Sequence, residues 1–223
     1  MGLEAQEGPQ AEKMGQALLR RMWITKGCRF AARERLRFTN ALSAWTIALL
    51  SIYVVVVTLV LLAFSRELYD ANEKWLNVIV IGISVTIISF SLLEIPRDLL
   101  GTAEAMNRSG LAIGKMYGQL SAAMVSETLT AEKLSEYENE YATVLADERA
   151  NHWRVDYRAF VIESYNDFQN VSWAQSALWR KGILFTIWAQ CYGLYFVAIF
   201  FPPMAALIFG SSLVRVASAL PAL

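Results

Sequence analysis

Two uncharged apolar runs, Leu42 to Phe64 and Trp75 to Leu93, constrain this chain more than anything else in it. A bilayer core of about 30 Å takes roughly 20 helical residues to cross. Within it every backbone N–H and C=O must be paired, so a single stretch of that length crosses as a helix. The runs therefore predict a transmembrane hairpin, because the short polar segment Ser65 to Lys74 brings the second helix back antiparallel to the first. Composition points to the same class: 56% of the 223 residues are hydrophobic and 18% charged, outside the usual globular mixture.

The net charge is zero, but the charges are unevenly placed. Residues 1–41 carry eight Lys/Arg against four Glu, whereas the connecting loop holds Arg66 and Lys74 against Glu67, Asp70 and Glu73. Positive flanks stay cytoplasmic, which puts the amino terminus inside, the loop outside, and everything after Glu94 initially inside. The first run begins only at residue 42 and lacks a small-residue cleavage pattern, so it reads as an uncleaved anchor. Cys28 and Cys191 suggest no disulfide framework and are compatible with a reducing compartment.

Four segments follow: a basic amphipathic amino-terminal part (1–41), the hairpin (42–93, spans 42–64 and 75–93), a cytoplasmic helical domain (94–181), and a carboxy-terminal hydrophobic segment (182–223). Residues 1–10, with Gly2, Gly8 and Pro9, read as a lead-in, with order starting near Ala11. Leu19, Met22, Trp23 and Phe30 fall near helical spacing with basic residues between them, which predicts an interfacial helix. Lys26, Arg29, Arg33 and Arg37 form a basic stripe just before the first span. They are candidate contacts to anionic lipid, or alternatively to an anionic nucleotide ligand.

Within the hairpin, small polar residues recur every seven positions. Ser51, Thr58 and Ser65 share one face of the first helix, and Asn77, Ser84 and Ser91 share one face of the second. Such stripes turn away from acyl chains. They either pack helices closely or, in an oligomer, line an aqueous path whose mouth Glu94 would ring with charge.

Pro96 is expected to kink or restart the chain as it leaves the membrane. Leu99, Ala103, Met106, Gly110, Ile113, Tyr117, Leu120 and Met124 then alternate spacings of four and three, a coiled-coil-like seam that packs in cis or between subunits. Thr130 is a candidate N-cap for a second helix, whose apolar stripe is Leu134, Tyr137, Tyr141, Val144 and Leu145. The two make a helical hairpin. Residues 94–181 carry thirteen Asp/Glu and nine Lys/Arg, a balance that gives no support to direct nucleic-acid binding.

The lone histidine, His152, stands four residues from both Glu148 and Asp156. On a helix these would share a face, but one histidine and two carboxylates are an incomplete metal or acid/base set. Asn151, His152 and Asp156 are therefore read as structural or assembly residues. No strong catalytic, phosphate-binding or metal-ligand signature occurs, so no catalytic residue, metal or cofactor is assigned and the chain is not read as an enzyme. Gly182 to Val214 is uncharged and interrupted by Pro202-Pro203. It predicts a third span broken there, followed by an interfacial helix or by the second limb of a re-entrant hairpin.

Together these features resemble the SLATT family, the SMODS and SLOG associating two-transmembrane effectors, most of all its fifth branch. The residues carrying the resemblance are Arg29, Arg33, Arg35 and Arg37, then Leu42-Ser43-Ala44-Trp45-Thr46-Ile47 and Leu50-Ser51-Ile52-Tyr53. Leu129-Thr130, Tyr137, Tyr141, Asn151-His152 and Asp156-Tyr157 complete the set, across roughly residues 15–180. The aromatic third apolar segment lies outside the minimal two-helix pattern.

The resemblance implies a bacterial antiphage effector of the inner membrane, encoded beside a sensor such as a nucleotide second-messenger synthase or a reverse transcriptase. It implies a homo-oligomer that opens a pore or perturbs the membrane, arresting or killing the infected cell. A membrane scaffold that recruits a partner without a pore is the alternative, and an enzyme using His152 and Asp156 ranks last.

Overall fold

The computed structural model describes residues 4–63, 72–94, 98–147, 151–168 and 170–219. Among these the protein is all-α: α1 (Glu4–Ala63), α2 (Asn72–Glu94), α3 (Leu99–Val125), α4 (Ala131–Asp147), α5 (Arg154–Glu163), α6 (Ser172–Gln175) and α7 (Ala177–Ala219), with a 3-10 turn at Tyr165–Asp167. They divide into a bundle unit, Met1–Phe38 with Leu99–Ile187, and a membrane unit, Thr39–Asp98 with Trp188–Leu223.

The bundle unit is built on the first half of α1. Leu18 and Met22 join Ile113, Met116 and Leu120 of α3 and Leu134 and Tyr141 of α4 in one buried cluster. Further along α1, Cys28 packs with Phe160, Val161, Phe168 and Ala174, and Trp23 and Ile24 lie against them. Ala32 and Leu36 meet Ala103 and Met106 in a third cluster. This half of α1 is thus apolar on more than one side because it serves three neighbours. The interfacial helix expected around residues 17–30 is therefore a central strut instead. Helix α1 also starts at Glu4, ahead of the expected onset near Ala11.

The α3 seam packs in cis. Ala103, Met106, Gly110, Ile113 and Leu120 are buried as the spacing predicts, and Ser109 and Met116 join them, since α3 presents a broader face to α1 and α4 together than one partner would need. The helix closes with paired bonds from Thr128 N–H to the Ala123 carbonyl (3.0 Å) and from Glu127 N–H to that of Met124 (3.2 Å), with Glu127 in the left-handed region at φ 52°. This is a Schellman stop made without glycine. Thr130 caps α4 as expected, its hydroxyl accepting from Lys133 N–H at 3.3 Å.

In the membrane unit, α1 ends at Ala63 and α2 runs for 23 residues, about 34 Å at helical rise. The windows Glu12–Leu59 of α1 and Ala177–Met204 of α7 are long and apolar enough to cross a membrane, and α2 contains the apolar run Val80–Ser89. Large apolar side chains remain exposed on each, among them Ile52, Leu59, Ile81, Val85, Leu194 and Val197. Ser65, Pro96 and the loop as far as Ala71 lie outside the described residues, and Asn72 to Lys74 already belong to α2.

Helix α7 corrects the reading of the carboxy-terminal segment. It continues unbroken through Pro202 and Pro203 to Ala219, with no re-entrant turn. Each proline removes one donor from the helical ladder, toward the carbonyls of Ala198 and Ile199. Apolar helices of membrane proteins tolerate this without ending, because local adjustment satisfies the freed groups.

Gly27 marks the tightest approach among the described glycines. A Cβ there would sit 2.1–2.4 Å from the Phe160 ring, so α5 can lie this close to α1 only where the side chain is a hydrogen. Gly27→Ala is expected to destabilise the bundle by about 1–3 kcal/mol through overpacking, read as a lower midpoint of thermal unfolding in detergent. Adding Phe160→Leu should recover part of the loss.

Candidate functional site: a buried ionic clamp and the polar positions of the membrane helices

Helix α5 starts at an unusual N-cap, Trp153, whose indole has no acceptor for the first-turn N–H groups. Asp156 at the third helical position supplies the return bond, accepting from Trp153 N–H at 2.7 Å. The same carboxylate, 1% exposed, is held bidentately by Arg35 of α1, Nε to Oδ1 at 2.7 Å and Nη2 to Oδ2 at 3.1 Å. The guanidinium also lies over the Trp153 ring, 4.5 Å from its centroid. Arg35, Asp156 and Trp153 thus form a clamp across 121 residues of sequence. Asp156 was read as a structural or assembly residue; Arg35 and Trp153 were not assigned a role.

His152 does not share a helical face with Asp156. Residues 151–153 are non-helical and α5 begins only at Arg154, because the chain needs an extended Trp153, ψ 164°, to start the helix. Glu148 lies outside the described residues. Asn151 turns its side-chain carbonyl onto His152 N–H at 2.9 Å. Burial, reinforced by the nearby Arg29 charge and opposed by Asp156, holds the His152 imidazole below its ordinary value of 6.5. Cys28 is also buried here, and burial together with the Asp156 charge pushes its thiol up to about 12.

The basic stripe is divided by the fold. Arg29 is 2% exposed, with Nη1 3.5 Å from the Met106 sulfur, so it points into the bundle and is removed from the lipid-facing set. Lys26 lies over the Tyr117 ring at 5.1 Å and Arg33 pairs with Glu34 at 3.0 Å. Arg37 is exposed. An open groove of about 420 Å³ lined by Leu19, Arg20, Trp23, Tyr117 and Asp167 sets one cation against one anion, which does not favour an anionic nucleotide.

The hydroxyls of the membrane helices turn onto their own backbone. Ser51 donates to Ile47 O and Thr58 to Val54 O, both at 2.8 Å. Ser84 donates to Val80 O at 2.8 Å and Ser91 to Ile87 O at 2.9 Å. Such back-bonding satisfies a hydroxyl without a second helix or water, so the seven-residue stripe makes a weaker demand on its surroundings than its spacing suggests. Ser51, Thr58 and Asn77 are exposed, and Ser84 and Ser91 half-buried. Glu94 is the last residue of α2. The buried polar face of α1 is a different one: Ser43 and Thr46 are buried together with Leu50. Their three- and four-residue spacing was the signal for it.

A model of the SMODS and SLOG-associating 2TM effector domain family 5 matches residues 12–208. No curated protein and no solved structure matches the chain.

Removing Arg35 leaves a carboxylate buried without its guanidinium. Arg35→Ala is expected to cost about 3–5 kcal/mol, measured by denaturant unfolding of the bundle. The single histidine makes a second outcome clean. Its folded-state value lies below 6.5, so its contribution is present above pH 6.5 and is lost as the pH falls from there through the folded value. Stability measured between pH 7.5 and 5.5 should decline in the native chain, and His152→Gln should flatten that slope.

Proposed function

The chain belongs to the SMODS and SLOG-associating 2TM effector domain family 5, and from that membership we propose that this membrane effector acts by assembling with further copies and opening a path through the bilayer. The trigger is a partner encoded beside it, a nucleotide second-messenger synthase or a reverse transcriptase, acting directly or through a small nucleotide. The consequence is growth arrest or death of a phage-infected cell. In this reading the protein is a multi-pass chain of the bacterial inner membrane with a cytoplasmic amino terminus, and the basic residues of positions 1–41 support that orientation.

The observation that carries this reading is the surface of the membrane helices. Within one copy, α1 and α2 expose large apolar side chains along the lengths that would lie in lipid, and the amide of Asn77 is exposed among them. Lipid and other copies of the chain are the surfaces such helices fit. A switch further requires a signal that binds the two states of the bundle unequally. No chemistry of its own is assigned to the chain: the Asp156 carboxylate is engaged by Arg35 and by Trp153 N–H.

A scaffold that recruits a partner without conducting is the second reading, and the back-bonded hydroxyls of Ser84 and Ser91 favour it. The two separate in cells expressing the chain with its neighbouring genes and challenged by phage. A conducting assembly predicts dye uptake and loss of membrane potential on triggering, both suppressed by Ser84→Leu with Ser91→Leu while partner recruitment persists. Unchanged permeability in a fully triggered cell overturns the pore. A monomer in detergent under activating conditions overturns the assembly.

A further inference from the structure

Helices α3 and α4 each carry a charged stripe on the side away from the core of the bundle. On α3 the exposed residues Glu104, Arg108, Leu111, Lys115 and Gly118 fall within about 80° of arc, and no buried residue interrupts them. Leu111 is 58% exposed. On α4 Glu132, Glu136, Glu140, Thr143 and Asp147 are exposed within a similar arc, while Leu134 and Tyr141 go to the core. The Lys133 ammonium is drawn to the Thr128 carbonyl at 3.2 Å, and the Thr143 hydroxyl is taken by the Asn139 carbonyl at 2.9 Å. The stripe on α4 is thus acidic throughout. Among the described residues, Arg108, Lys115, Glu140 and Asp147 have no ion-pair partner in their own chain.

The hairpin fixes the heights of these charges. Leu120 and Leu134 share one buried cluster with Ile113 and Tyr141, and each pair stands within one residue of equal distance from the point between Glu127 and Thr128. Arg108 and Asp147 are equidistant from that point, and so are Lys115 and Glu140. Each pair of charges is one heptad apart on its helix, about 10.5 Å, so the cations of α3 stand level with the anions of α4. A second copy rotated about an axis along the hairpin keeps every residue at its own height. Its α4 then presents Asp147 to Arg108 and Glu140 to Lys115, with Thr143 within one residue of the level of Leu111. A shift of one turn sets Glu104 against Asp147 in one direction and leaves both cations facing no carboxylate in the other.

We infer that the exposed stripe of α3 in one copy seats on the exposed stripe of α4 in a second copy, with Arg108 opposite Asp147 and Lys115 opposite Glu140. The inference rests on the assembly of copies proposed above and names the surface that makes it, independently of conduction. Exposed ion pairs contribute little affinity by themselves. Here they select the partner and the register, and confinement of the copies to one bilayer supplies the effective concentration that a small interface needs.

The test uses two differently tagged full-length copies with Cys191→Ala, one carrying Leu111→Cys and the other Thr143→Cys, in membranes of triggered cells that also express the neighbouring genes. Oxidation should join the two tags in one disulfide-linked species, and Leu111→Cys in both copies should give less. Arg108→Glu with Lys115→Glu should lower the ratio of associated to free copies by about tenfold, since each exposed pair is worth up to about fivefold. Adding Glu140→Lys with Asp147→Lys to the same chain should restore it, as should mixing the two doubly reversed chains. Association is also read by light scattering in detergent, which does not depend on the introduced cysteines, and unreactive Cys28 reports a folded bundle in every variant. Copies that associate yet form no 111–143 disulfide and ignore charge reversal overturn this interface and leave the proposed assembly standing. Loss on reversal without recovery in the fourfold variant, with Cys28 still unreactive, overturns it too, and copies that stay monomeric when triggered overturn both.

Discussion

A carboxylate withdrawn from water at the start of a short helix has to keep its cation, and much of the bundle follows from that requirement. Asp156 can begin α5 only while Arg35 holds it, and Arg35 can reach it only if α5 lies against α1. Gly27 permits that proximity by giving the Phe160 ring the space of a missing side chain. Once the two helices are joined, Trp153 is fixed over the guanidinium. Desolvation makes such a pair no large source of net stability. What it contributes is position, since register shifts between α1 and α5 would strand the carboxylate.

Local pattern carried the parts of this fold that depend on local pattern. The α3 seam, the Thr130 cap and the apolar stripe of α4 were legible because each is a rule about residues three or four apart, and each is met within one helix. The Arg35–Asp156 pair was not, because it joins positions 121 residues apart and Arg35 reads on the page as one more member of a basic stripe. The same stripe misled for Arg29, a charge that belongs to the core. Sequence spacing treats four arginines alike; the packing of α3 and α5 around α1 distinguishes them.

Two features of the membrane helices turn on the backbone for a related reason. A seven-residue polar period was read as a face seeking partners, yet a serine or threonine in a helix has a carbonyl of its own within reach, and Ser51, Thr58, Ser84 and Ser91 use it. The Pro202-Pro203 pair was read as a break because proline ends helices in water. In an apolar segment the alternative, an unpaired backbone, is costlier than a damaged ladder, and α7 continues. Membership of a two-transmembrane effector family agrees with a chain whose extramembrane part is well packed and whose apolar helices are left open.

Cys28 lies beside Gly27, where α5 closes on α1, in the cluster that includes Phe160 and Phe168. Sealed from water and with its thiol held near 12, it is chemically silent for as long as that closure lasts. Any excursion that lifts α5 from α1 returns it to the ionisation of an ordinary thiol and to solvent together. The chain therefore contains, at natural abundance and without alteration, a stopwatch for its own opening: the rate at which Cys28 becomes reactive counts how often the bundle lets go.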